Sequence, residues 1–141
     1  MTAGARIRIG VVGLGAVAQS VHLPLIQRRW DLFELVALAD LSPSNRSAVG
    51  AQFGVAPDHL YGSLDEMLEG DTLDGVVVLT SGSHGAPALT AIDAGVAVFC
   101  EKPLAFSLAE IDALAAAEAT TKAAAAVDTV IAVDTETIIN Q

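Results

Sequence analysis

The chain has 141 residues and carries 17 acidic side chains against 7 basic ones, a formal net charge of −10 that argues against nucleic acid and anionic membrane surfaces as partners. Hydrophobic residues make up 52% of it and aromatics only 4%, a mixture dominated by alanine and valine that suits buried parallel strands covered by small-residue helices. Charged or glycine residues break every apolar run before the ~20 residues a membrane helix needs, and the single cysteine, Cys100, excludes an intrachain disulfide and a multi-cysteine zinc site.

This length predicts one domain with a real core. Residues Met1 to Arg6 show neither an h-region nor a cleavage pattern, so the expected compartment is the reducing cytoplasm. No metal site is expected.

The first element is a strand over about Ile7 to Val12, and it runs directly into Gly13-Leu14-Gly15-Ala16-Val17-Ala18. A glycine-rich turn between a strand and a helix presents bare amides and the positive end of a helix dipole to an anion. Gly13 is expected to make the turn, Gly15 to admit a pyrophosphate, and Ala18 to let the helix pack closely on the sheet. Ala16 and Val17 supply the first helical amides. The helix runs from about Ala16 to Arg28, and Pro24 is expected to kink or interrupt it.

A second strand spans about Phe33 to Asp40 and ends on a carboxylate a little over 20 residues beyond the glycines. That spacing suits a group accepting hydrogen bonds from an adenosine ribose and repelling a 2′-phosphate, which favours NAD over NADP. The alternative is a turn aspartate capping the next helix. Arg46, a few residues on, has the reach to stack on adenine or meet a 2′-phosphate, so NADP stays possible.

Ser42-Pro43 predicts an N-cap and first-turn proline for a helix that ends before Gly54. A short strand is expected near His59 to Tyr61, followed by the capping box Ser63-Leu64-Asp65-Glu66. Then come a strand over Gly75 to Thr80, a helix from about His84 to Ala94, a strand over Val96 to Glu101, and a second capping box, Ser107 to Glu110, opening a helix to about Lys122. The alternation predicts a doubly wound parallel sheet, a three-layer αβα Rossmann fold with right-handed crossovers. It gathers the glycine turn, Asp40 and the segments after the later strands at one cleft. His22 and His59 read as core or surface residues, and Cys100, inside a valine-rich strand, as an inert core thiol.

Over about residues 6 to 122 the sequence resembles the NAD(P)-binding domain of the glucose-fructose oxidoreductase, inositol dehydrogenase and rhizopine-catabolism family, Gfo/Idh/MocA. The likeness rests on the glycine fingerprint, His22-Leu23-Pro24, Ala39-Asp40, Ala94-Gly95 and above all Glu101-Lys102-Pro103. It implies an oxidoreductase that moves hydride between a nicotinamide dinucleotide and a sugar, polyol or related hydroxyl compound. Lys102 would then be catalytic, polarising the reacting C–OH group, since a fixed ammonium stabilises a developing alkoxide in a water-poor site. Glu101 would hold Lys102 and Pro103 would stiffen the turn; the plainer reading of Lys102 is a solvated strand-end lysine. Thr80-Ser81 stands where the family commonly has Thr-Pro, and His84 matches a family histidine at the start of a helix. A helix N-terminus favours a neutral imidazole there, although a capping or surface role fits equally.

The resemblance further implies a second α/β substrate domain, which the sequence does not contain, so the chain is expected to be inactive alone. Residues 1–122 read as the dinucleotide-binding domain. Residues 123–141, whose Val127-Asp128-Thr129 and Val133-Asp134-Thr135 echo each other, read as a tail adding a strand, without family resemblance. A nucleotide-binding sensor and a structural or oligomerising module are the non-enzymatic alternatives, and homo-oligomerisation is compatible with all three readings. Fold alone does not separate them.

Overall fold

The computed structural model describes residues 4–101, 105–123 and 130–133. Six strands form one sheet: β1 (Ile7–Val12), β2 (Phe33–Ala39), β3 (Leu60–Tyr61), β4 (Gly75–Val78), β5 (Ala97–Glu101) and β6 (Val130–Val133). Their spatial order is β3-β2-β1-β4-β5-β6 and every pairing is parallel. The chain winds outward from β1 to β3, returns to the other side of β1 at β4, and winds outward again. Strand order therefore reverses between β1 and β4, where open sheets of this kind leave a crevice at the carboxyl ends of their strands.

The period-two alternation of strand side chains divides the core in two. Ile9, Val11, Leu38 and Val77 pack on one face against Leu14, Ala18, Leu23, Val49 and Phe53. Val12, Ala37, Ala39, Val76, Val78, Val98 and Cys100 pack on the other against Leu64, Met67, Ala88, Ala91, Ile92 and Leu114. Gly10 belongs to the second face, where a β-carbon would come within 2.8 Å of both Leu73 and Met67. The bulky pair on the covering layer thus requires the missing side chain in the strand.

The helices are α1 (Leu23–Arg28), α2 (Pro43–Phe53), α3 (Leu64–Gly70), α4 (Gly85–Asp93) and α5 (Leu108–Ala123). Their ends follow local chemistry. Ser42 Oγ accepts from the Asn45 amide to cap α2, and Gly54 stops it in the left-handed conformation at φ +75°. Ser63 Oγ caps α3 through the Glu66 amide, and Ser107 Oγ caps α5 through the Glu110 amide, as the two capping boxes require.

Two expectations change in detail. The interruption near Pro24 is a π-helical turn, Ala18–His22, in which the Leu23 amide bonds to the Ala18 carbonyl five residues back. Proline has no N–H and its ring crowds the carbonyl four residues earlier, so the helix widens by one residue before α1. His59 lies in a 3₁₀ turn (Pro57–His59) rather than in β3. Val130–Val133 pairs in parallel with Val98–Glu101, within the segment read as a tail.

Candidate functional site

Register brings the site together. Val12 lies opposite both Ala39 and Val78, and Ala39 opposite Tyr61. The residues just beyond these partners, Gly13, Asp40, Leu79 and Gly62, consequently emerge in one row at the carboxyl edge of the sheet. They border a cleft of about 450 Å³ that is also lined by Leu14, Gly15, Leu41, Ser63, Leu64, Thr80, Ser81 and Pro87.

Gly13 turns the chain at φ +90°, and a β-carbon there would lie 2.6 Å from the backbone of Leu79 and Thr80. Two constraints, handedness and close backbone approach, therefore require glycine at this position. Gly15 differs: a β-carbon would meet nothing within 4 Å. The space in front of it is free for a ligand. Gly15, Ala16 and Val17 open the helix, where the first N–H groups have no intrahelical acceptor and point outward with the dipole.

Between these glycines, the Leu14 peptide is gripped from both sides. Its N–H donates to Asp40 Oδ2 at 2.9 Å, and its carbonyl accepts from Asn45 Nδ2 at 2.8 Å and Gln19 Nε2 at 2.9 Å. The Leu14 side chain is fully buried against α1 and α2. Asp40 thus acts as a fixed strut as well as a cleft-lining carboxylate, because its Oδ1 also accepts from the Ser42 amide at 2.8 Å. The cap of α2 is Ser42, not Asp40. Each carboxylate oxygen keeps lone-pair capacity toward the cleft. Arg46 is engaged with the same corner: Nη1 donates to the Asp40 carbonyl at 3.0 Å, bracing the turn.

On the opposite side, Thr80 Oγ1 is a buried hydroxyl oxygen without a hydrogen-bond partner among the described residues. A buried orphan beside a cleft marks a position that a ligand's polar group can satisfy. Ser81 follows on the exposed rim. His84 sits differently from a cofactor contact. It is 4% exposed, does not line this cleft, and its Nε2 donates to the Thr80 carbonyl at 2.8 Å. Its place is behind the loop, which it holds.

At β5, the Glu101 carboxylate accepts from His22 Nε2 at 2.9 Å, with the two side chains only 12% and 7% exposed. The imidazole also meets Phe99 edge to face, with ring centroids 5.8 Å apart. Lys102 and Pro103 lie outside the described residues. Beyond them, Glu110 Oε2 accepts from Ser83 Oγ at 2.6 Å and from the Phe106 amide at 3.4 Å, tying the start of α5 to the loop after β4. Cys100 is fully buried, and burial pushes its thiol up to about 12, as an inert core cysteine requires. Among the described residues no cluster of metal-ligating side chains occurs, and no helix is long and apolar enough to cross a membrane.

Asn45, Gln19, His22 and Glu110 were not singled out as site residues by their sequence context. The partners that Asn45, His22 and Glu110 meet in Leu14, Glu101 and Ser83 lie 31, 79 and 27 residues away, and no local pattern encodes such contacts. The nearest available signal was the capping box for Glu110 and the proline after His22-Leu23.

A helix start with open amides, a carboxylate at the end of the second strand and a threonine across the cleft fit a dinucleotide laid across the strand ends. Comparison with known proteins agrees. A family model described as "Oxidoreductase family, NAD-binding Rossmann fold" (GFO_IDH_MocA) matches residues 7–129. The chain is 40% identical over 101 residues to an inositol 2-dehydrogenase of Cereibacter sphaeroides, covering 70% of this chain and 29% of that protein. Among solved structures, the WlbA dehydrogenase of Bordetella pertussis in complex with NADH and UDP-GlcNAcA superimposes with a TM-score of 0.76 at 30% identity, covering 84% of this chain and 35% of that one. The scyllo-inositol dehydrogenase of Lactobacillus casei with bound NAD(H) and scyllo-inositol gives a TM-score of 0.76 at 26% identity, with 84% and 34% covered. The chain spans about 30% of the length of the curated relatives it matches. It belongs to the Gfo/Idh/MocA oxidoreductase family, whose NAD-binding Rossmann domain it comprises.

Proposed function

We propose that this domain serves an enzyme that moves hydride between NAD and a hydroxyl-bearing carbon of a sugar or polyol, with the substrate held by a further domain. The observation that carries the reading is the convergence on one cleft of Gly15 at the helix start, Asp40 at the end of the second strand and Thr80, whose buried hydroxyl has no partner among the described residues. The relatives include dehydrogenases solved with UDP-GlcNAcA and with scyllo-inositol, which supports that substrate class.

In this reading the Gly15, Ala16 and Val17 amides hold the pyrophosphate, and Gly13 sets the turn that aims them. The Asp40 carboxylate accepts from the adenosine ribose and disfavours a 2′-phosphate, so NAD is preferred to NADP. Arg46 keeps the Asp40 corner in shape. Thr80 and Ser81 contact the nicotinamide half, with His84 bracing their loop. The nicotinamide supplies the hydride chemistry. Lys102 polarises the reacting hydroxyl, and Glu101 and Pro103 set its approach. The enzyme works in the cytoplasm as a homo-oligomer, and residues 123–141 extend the dinucleotide-binding domain of residues 1–122.

The test is Lys102→Ala in the enzyme assembled with its substrate domain. A catalytic lysine predicts a large loss of kcat with little change in NADH affinity. Equal losses in both would move Lys102 to a binding role.

A further inference from the structure

The glycine that opens the cleft to a ligand also softens the chain that carries its amide. A β-carbon at Gly15 would meet nothing within 4 Å, and without one the backbone dihedrals there are the least restricted of any residue type. Its N–H therefore has a fixed direction only if the peptide bearing it is held from elsewhere. That peptide runs from the Leu14 carbonyl to the Gly15 N–H, and its planar trans form points the two groups in opposite directions. Asn45 Nδ2, from the first turn of α2, donates to the Leu14 carbonyl at 2.8 Å, and Gln19 Nε2, from the π-helical turn, donates to it at 2.9 Å. Neither side chain lines the cleft, whereas Gly15 does. Gln19 holds the next carbonyl as well, since its backbone N–H donates to the Gly15 oxygen at 3.1 Å.

We propose that Asn45 and Gln19 are positioning residues, which by holding the Leu14 carbonyl away from the cleft aim the Gly15 N–H at the pyrophosphate of the dinucleotide. The inference rests on the reading of Gly15 as a phosphate-binding amide. A carbonyl oxygen has two lone pairs, and here each meets a side-chain donor, so the peptide is fixed in direction rather than merely tethered. The donor from α2 also ties the two halves of cofactor recognition together. Ser42 caps α2 through the Asn45 amide, and the Ser42 amide in turn donates to Asp40, whose other carboxylate oxygen accepts from the Leu14 N–H. The ribose-reading carboxylate and the aim of the phosphate-binding amide therefore share one support.

The sequence offers a direct probe, since Leu14-Gly15 is its one Leu-Gly pair. Isotope labelling of leucine carbonyl carbon and glycine amide nitrogen in the full chain gives a single carbonyl–amide correlation, from this peptide alone. The amides of Gly75 in β4 and Gly95 after α4 serve as references. Asn45→Leu with Gln19→Met removes both donors at similar side-chain size. The expected result in the ligand-free protein is a Leu14–Gly15 correlation displaced by more than its linewidth, with both references unmoved. NADH affinity, measured by titration, should fall about tenfold, the worth of one hydrogen bond to a charged group. Each single variant keeps one donor and should lie between, and the singles carry the test if the double variant does not fold. An unmoved correlation, a displaced one with unchanged NADH affinity, or displacement of the references alike would overturn the proposal, the last by assigning both residues to general stability. Loss of folding in both single variants would do the same. In wild type, NADH binding that leaves the correlation unmoved would instead take the phosphate away from Gly15, overturning the underlying reading before any variant is compared.

Discussion

Replacing Asp40 is the obvious route to altered cofactor choice, yet the structure predicts that it also loosens the apo domain. In Asp40→Ala the Leu14 N–H, beneath a fully buried side chain, loses the acceptor it meets at 2.9 Å. Leaving a buried donor unsatisfied costs about 1–3 kcal/mol. The Ser42 amide, bonded to the other oxygen at 2.8 Å, belongs to a half-buried residue that water can reach, so its loss adds only ~0.5 kcal/mol. A total of roughly 2 kcal/mol corresponds to a melting point about 6 °C lower for a domain of this size. Thermal melts of the ligand-free protein followed by circular dichroism check it. Asp40→Asn, which keeps one carbonyl oxygen but turns an amide NH₂ toward a donor, should fall between wild type and alanine. An Asp40→Ala protein melting within about 1 °C of wild type would refute the strut argument.

Other consequences separate folding from binding. Gly15→Ala meets open space, so the melting point should hold while NADH affinity falls at least about tenfold as the methyl enters the phosphate path; equal affinity in a titration would place the phosphates elsewhere. Gly13→Ala, with its 2.6 Å backbone approach and positive φ, should instead reduce soluble folded protein itself, seen as lost cooperativity in the same melts. Asp40→Ser should raise NADPH affinity relative to NADH, and an unchanged ratio would show that the carboxylate does not read the ribose. At the far edge of the sheet, Tyr61 donates to Asp71 at 2.7 Å; that bond, then burial, raises its phenol to about 12. A raised folded value means the native state holds the proton longer, so stability falls as pH rises from the free-tyrosine range of about 10 toward 12. Tyr61→Phe should abolish that segment of the pH–stability curve, and an unaltered slope would contradict it.

The architecture was legible because its signals are local. A β-branched strand followed by glycines, serines three residues before glutamates, and Ser42-Pro43 ahead of Gly54 each act within a few residues of chain. The alternation of strand and helix then restricts the topology, and register delivers Gly13, Asp40 and Leu79 to one edge. The supports of the site are another matter. Asn45 grips the Leu14 carbonyl from 31 residues away, and Glu110 reaches back 27 residues to Ser83, only because the fold brings separate segments into hydrogen-bond range. His22 read as a core or surface residue, and it is buried; what sequence could not convey was that a π-helical turn ahead of Pro24 brings it to Glu101. His84 shows the converse, a histidine placed correctly along the chain at the start of α4 but turned behind the Thr80 loop.

Calorimetric titration of the chain with NADH and NADPH tests most directly whether the cleft is an NAD site. Saturable binding of one NADH per chain, tighter than NADPH, is the predicted result. Tighter binding of NADPH, or heat from neither nucleotide in a protein shown to be folded, would contradict it.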